Sequence, residues 1–134
     1  MNQATHKLGV PLVLFHILAM LEWIDLIRVP GTELQFTAAH ALILVVAPWY
    51  LALAPLLALA VGAVAIAFVW LAPHVPVPVV LGITVLAWTL QLVGHYVYEK
   101  RSPSFFKNLH QLLVGPLFIA ALLLGRWKGP QPAA

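Results

Sequence analysis

The chain has 134 residues, 63% hydrophobic and 8% charged, with a formal net charge of +3 and a mean hydropathy of +0.98. Soluble domains carry about 25% charged residues, so this composition reads as one polytopic membrane domain; its 7 Lys+Arg form no basic stripe, which argues against nucleic acid as a partner. The lack of cysteine excludes disulfides, thiolate metal sites, iron–sulfur clusters and a Cys nucleophile.

Residues 1–8 form a polar lead in which Asn2 or Thr5 is placed to cap a helix, with Pro11 in its first turn. The apolar run 9–27 is long enough to span a bilayer and lacks a small-residue cleavage site, so it reads as a retained membrane helix. It ends in an interfacial mixture of Glu22, Trp23, Asp25 and Arg28, and Val29-Pro30-Gly31-Thr32 breaks it. Residues 35–72 are too long for one span. Pro55 divides them into 35–51 and 55–72 around a tight turn at 52–54, and Pro48 is expected to kink the first. Ala58, Ala60, Gly62 and Ala65 give the second a small-residue surface for helix packing. A Pro-rich loop at 73–78 leads to a fourth span at 79–98. The fifth covers 104–125, with a kink expected at Gly115-Pro116. The expected architecture is an all-α membrane bundle of about five transmembrane helices, a single domain over 1–125, followed by a disordered Pro/Gly-rich tail at 126–134. No internal repeat is evident.

Polar chemistry is densest between residues 91 and 118. Gln91, His95 and Glu99 recur at i, i+4 and i+8, one polar stripe on a helix. Five spans place the start of the first and the end of the fourth on the same membrane face, so His6 is expected beside His95, Glu99 and the 99–103 loop. That face carries Lys7, Lys100, Arg101 and Lys107, against Arg28, Arg126 and Lys128 opposite, a small positive-inside excess. Two or three imidazoles plus a carboxylate, without thiolate, suit Fe(II), Mn(II) or Zn(II), and two His with one carboxylate is the donor set of non-haem Fe(II) oxygenases. On the fifth span Asn108, Gln111 and Gly115 share a face suited to hydrogen-bonding the ligands, as does Gln91 on the fourth, while His110 turns away. His16, deeper in the first span, reads as an interhelical hydrogen-bonder. His40 and His74 fall on the opposite face with Glu22 and Asp25, where they read as caps and interfacial groups.

Gln91-x-x-Gly94-His95-x-x-Tyr98-Glu99-Lys100-Arg101-x-Pro103, then Asn108-Leu109-x-Gln111 and Pro116-Leu117-Phe118, resembles the 2-hydroxy-fatty-acid dioxygenase family of small membrane proteins. The opening Asn2-x-x-x-His6-x-x-Gly9-x-Pro11 resembles that family's first motif. The resemblance implies Fe(II)-dependent alpha-oxidation of a 2-hydroxy fatty acid by O2, shortening it by one carbon. It implies His6 and His95 as iron ligands, with Glu99 as a ligand or its partner. Lys100 or Arg101 would meet the substrate carboxylate. The membrane would be the inner membrane in a bacterium or the endoplasmic reticulum in a eukaryote. The alternative is a non-enzymatic membrane protein of the same fold, a lipid-binding, assembly or transport component in which His95 and Glu99 merely hydrogen-bond.

Overall fold

The computed structural model describes residues 3–103 and 106–127. Five helices follow one another: α1 (Gln3–Glu22), α2 (Ala38–Leu53), α3 (Pro55–Leu71), α4 (Val77–Val93) and α5 (His110–Leu123). Three segments, Ala4–Glu22, Pro55–His74 and Val77–Tyr98, are long and apolar enough to cross a membrane. The helices α2 and α5 are apolar but shorter, 16 and 14 residues.

Pro55 breaks the long apolar run as its chemistry requires. Its ring fixes φ and it has no N–H to donate, so it opens a helix readily and continues one badly. Ala54 leaves the helical conformation (φ −156°, ψ 86°) and closes α2 by donating its N–H to Tyr50 O, and α3 starts at Pro55. Pro48 and Pro116 lie inside α2 and α5, which run on through them.

The region after α1 departs from expectation. The first helix ends at Glu22, not near residue 27, and a two-stranded antiparallel hairpin follows, β1 (Asp25–Arg28) and β2 (Gln35–Thr37). The expected breaker Val29-Pro30-Gly31-Thr32 is the hairpin's turn. Gly31 supplies a positive φ of 77°, which a side chain would disfavour. The Thr32 hydroxyl donates to Val29 O and accepts from Leu34 N–H. Arg28 bridges the strands through Asp25 and Gln35.

Apolar packing joins the helices through three clusters. Phe15 and Ala19 meet Ala72 and Val80; Leu18 meets Ala39, Ala65 and Val69; Tyr50 meets Ala58, Val61 and Leu117. Ala58 and Ala65 are thus the close-contact residues their size suggested. His16 hydrogen-bonds as expected, accepting from Trp88 Nε1–H (3.2 Å) and facing Leu12 O through Nδ1. Among described segments, α5 starts at His110, later than the predicted residue 104. Its C-terminus closes with Gly125 at φ 66°, Gly125 N–H on Leu122 O and Arg126 N–H on Ala121 O, a Schellman cap. Arg126 and Trp127, expected in a disordered tail, turn back on the helix, with Trp127 edge-on to Phe118. The rest of that tail, 128–134, lies outside the described residues.

Candidate metal centre

The site stands where α1 begins and α4 ends. These antiparallel helices make the most extensive packing in the molecule, and glycines set how closely they approach. A Cβ on Gly94 would lie 2.5 Å from Thr5 Oγ1 and 3.2 Å from Thr5 Cβ, and one on Gly9 would lie 3.0 Å from Gln91 Nε2. Contacts under 3.0 Å force something to move, so Gly94 lets α1 seat His6 against α4. Gly9 leaves the slot through which Gln91 reaches His6.

After Gly94 the helix widens into a π turn over Gly94–Tyr98, closed by Glu99 N–H on Gly94 O. Such bulges are rare and concentrate at functional sites. This one carries His95 at its start and delivers Glu99 just beyond its end. The carboxylate lies between two imidazoles: Glu99 Oε1 is 3.0 Å from His6 Nε2 and Oε2 is 2.9 Å from His95 Nδ1. The imidazoles sit edge to face, centroids 4.7 Å apart. One ligand atom from each of His6, His95 and Glu99 falls within 4.8 Å of the others. Glu99 is almost wholly buried, its side chain 6% exposed.

Burial alone would push the Glu99 carboxyl's pKa up. The hydrogen bonds from His6 and His95, with the charge of those rings, outweigh it and hold the carboxyl below its ordinary value. The group is therefore an anionic oxygen donor at neutral pH. The Gln91 Oε1 stands 3.1 Å from His6 Nδ1. A carbonyl oxygen only accepts, so Nδ1 donates to Gln91, and Nε2, whose proton Glu99 accepts here, is the nitrogen a metal would take in that proton's place.

This donor set fits a divalent first-row metal. The two N···O separations run to different Glu99 oxygens, and the three ligand atoms lie within 4.8 Å of one another, so a metal with bonds of about 2.0–2.2 Å would draw them inward. Two imidazoles and one carboxylate leave coordination positions open. Arg101 lies at the rim, its Nε 3.9 Å from Glu99 Oε2 and its side chain largely exposed. Lys100 beside it is exposed, in the left-handed conformation at φ 54°.

The structure brings His6, Gln91, His95 and Glu99 together, with Arg101 adjacent. It does not bring in Asn108 and Gln111. Both are exposed, and Asn108 precedes α5 altogether. The face they were to share with Gly115 presumes helix from residue 104, where the helix starts only at His110. His110 is exposed in the first turn of α5. At the opposite end the polar groups do not gather into one cluster. Glu22 and His40 meet around Thr37, Asp25 pairs with Arg28, and His74 packs against Trp70. Asn2 lies outside the described residues.

The chain is similar to 2-hydroxy-palmitic acid dioxygenase MPO1 of Saccharomyces cerevisiae, 50% identical over 40 residues. That match takes in 29% of this chain and 23% of the yeast protein, so it spans less than a quarter of that curated relative. No solved structure matches. A family model described as 2-hydroxy-palmitic acid dioxygenase Mpo1-like matches residues 1–127, from the polar lead before α1 to the cap of α5, and the chain belongs to that Mpo1-like family.

Proposed function

We propose that this protein is a membrane-embedded Fe(II) dioxygenase that shortens a 2-hydroxy fatty acid, or a related lipid, by one carbon. The observation that carries the reading is the convergence of one ligand atom each from His6, His95 and Glu99 at the buried end of α1 and α4. His6 Nε2, His95 Nδ1 and a Glu99 oxygen would hold the iron. Bound there, iron supplies the open positions at which O2 and a chelating 2-hydroxy acid can meet.

The chain's own residues do the rest. Gln91 accepts from His6 Nδ1 and so would leave Nε2 as the nitrogen that binds the metal. Burial of Glu99 and His6 keeps bulk water from the reacting carbon. The Arg101 guanidinium, with Lys100 next to it, is placed to meet the substrate carboxylate at the rim. Conversion of the 2-hydroxy acid to the shorter acid and CO2 gives O2 every electron it needs to become the new carboxyl oxygen and water. No separate reductant is required. The membrane would be the inner membrane in a bacterium or the endoplasmic reticulum in a eukaryote.

The test is anaerobic reconstitution of purified protein with Fe(II), then incubation with O2 and 2-hydroxypalmitic acid. About one iron per chain and appearance of the one-carbon-shorter acid are expected. Full folding with no iron retained, and no product, would instead favour a non-enzymatic lipid-binding, assembly or transport protein.

A further inference from the structure

We infer that the groove between α1, α3 and α5 is the acyl-chain site, and that its occupant is the hydrocarbon tail of the 2-hydroxy acid whose polar end lies at His6, His95 and Glu99. The inference rests on the dioxygenase reading above.

The three helices lining the groove share one direction. The start of α1 meets the end of α4 at the triad, the start of α3 follows the end of α2, and the early α5 residue Leu113 accepts from Tyr50 OH near that end of α2. All three therefore lead away from the triad end. Between them is an open groove of about 190 Å³. Val10, Pro11, Ala60 and Pro116 line its near half, Val64 and Leu123 its far half. Every side chain lining it is apolar. The chemistry suits an alkyl chain and offers nothing to a charged or sugar ligand.

Continuity with the triad distinguishes this groove from the second one. Val10 is one turn beyond His6 on α1, on the same side of the helix, so the lining begins about 6 Å along the axis from His6. The larger cavity between α1, α2 and α3, about 390 Å³ and reaching Leu113 of α5, first touches α1 at Leu14, two turns from His6. At the near end α5 crosses α1 through Gly115. A Cβ there would sit 3.7 Å from Val10 Cγ1, in ordinary contact, so a side chain much larger than alanine would narrow the mouth. Farther along, the α5 wall from Pro116 to Leu124 rises about 12 Å, a depth that lets the groove measure chain length.

The experiment uses the full chain in lipid nanodiscs, with Val64→Trp and Leu123→Trp as separate variants. Both positions are exposed and lie two or more turns beyond the helix starts at the triad end, so iron content should match the parent's. The ratio of kcat/KM for 2-hydroxypalmitic acid to that for 2-hydroxyoctanoic acid should fall about tenfold, the loss expected from expelling a couple of methylenes of the longer tail. A second readout needs no turnover: 2-hydroxypalmitic acid carrying a tail-end diazirine should crosslink to α3 and α5 peptides lining the groove, and excess unlabelled 2-hydroxypalmitic acid should suppress it. Unchanged chain-length preference in both variants, with an active parent, overturns the groove and leaves the iron site standing. Crosslinks that palmitic acid suppresses equally well, or that fall on the outer faces of α2 and α4, also overturn it, showing a general lipid slot. A parent that binds no iron and turns over neither acid sinks the dioxygenase reading itself, and this inference with it.

Discussion

Each end of the bundle holds a glutamate and a histidine, and the two ends use them differently. At one end His40 lies in the first turn of α2. Its Nδ1 accepts the Thr37 backbone N–H and contacts the Thr37 hydroxyl. That hydroxyl donates to buried Glu22, and Phe36 stacks on the ring. The inward-facing lone pair of His40 is spent on a helix N-terminus, where donors are in excess. At the other end the inward nitrogens of His6 and His95 face a carboxylate, and Gln91 holds the first ring from behind. His40 Nδ1 also lies 3.5 Å from Glu22 Oε1; what distinguishes the two ends is that this nitrogen is committed to a backbone donor, whereas those of His6 and His95 meet the carboxylate and Gln91.

The largest effect that can break this comparison is loss of a ligand. His6→Ala and His95→Ala are expected to abolish stoichiometric iron binding, and Glu99→Gln to weaken it severely. His40→Ala, Glu22→Gln and His74→Ala should keep the parent's metal content. Iron per chain, measured by mass spectrometry on folded protein, decides it. Retention of full iron in His95→Ala would sink the triad, and equal loss in His40→Ala would move the site to the hairpin end.

Close approach of α1 and α4 is the next lever. Since a Cβ on Gly94 already clashes with Thr5, Gly94→Leu must push the helices apart at the metal end. Overpacking of this kind costs about 3 kcal/mol. A clear drop in melting temperature in detergent should accompany loss of iron. At Gly31, where a Cβ meets no atom within 4 Å, substitution strains only the exposed turn and should leave metal untouched. A Gly94→Leu protein that melts with the parent and keeps its iron would show that the helix contact does not set the site.

Positioning comes third. Gln91→Ala removes the acceptor behind His6 Nδ1, and losses of this type weaken metal affinity about 10–100-fold. The variant should still bind iron at high concentration, with a raised dissociation constant in a chelator-competition titration. Gln91→Glu keeps an acceptor and should recover part of the affinity. Unaltered affinity in Gln91→Ala would mean that α4 packing alone orients the ring.

The sequence made some of this legible for identifiable reasons. Pro55 falls in the middle of an apolar run too long for one span, where a helix start suits it, so the helix count and hence the face shared by His6 and Glu99 followed from chain parity. The stripe Gln91, His95, Glu99 needed only helical spacing. The π turn at Gly94–Tyr98 was not legible, because one widened turn leaves almost no trace in hydrophobic periodicity. The hairpin was hidden because both strands are short and β1 is exposed throughout, so burial imprints no alternation on it. Asn108 was misplaced because helical periodicity was extended over residues that precede α5, while Gln111 lies in the first turn of α5 with its side chain exposed. Spacing arguments hold only inside a continuous helix.

The smallest expected effect tests the hairpin end on its own terms. Thr37 is fully buried and joins three elements: its hydroxyl donates to Glu22 at the end of α1, its backbone N–H donates to His40 in α2, and the residue closes β2. Replacing it with alanine leaves the backbone bond to His40 in place and removes only the hydroxyl. The buried Glu22 carboxylate, its side chain 7% exposed, then loses a donor. Side-chain losses of this kind cost about 1–2 kcal/mol, less than Gly94→Leu, so a modest drop in melting temperature is expected with iron content unchanged. Thr37→Ser keeps the hydroxyl and should stay near the parent. If Thr37→Ala instead emptied the metal site, the two ends would be coupled through α1, and the contrast between a capping end and a binding end would fail.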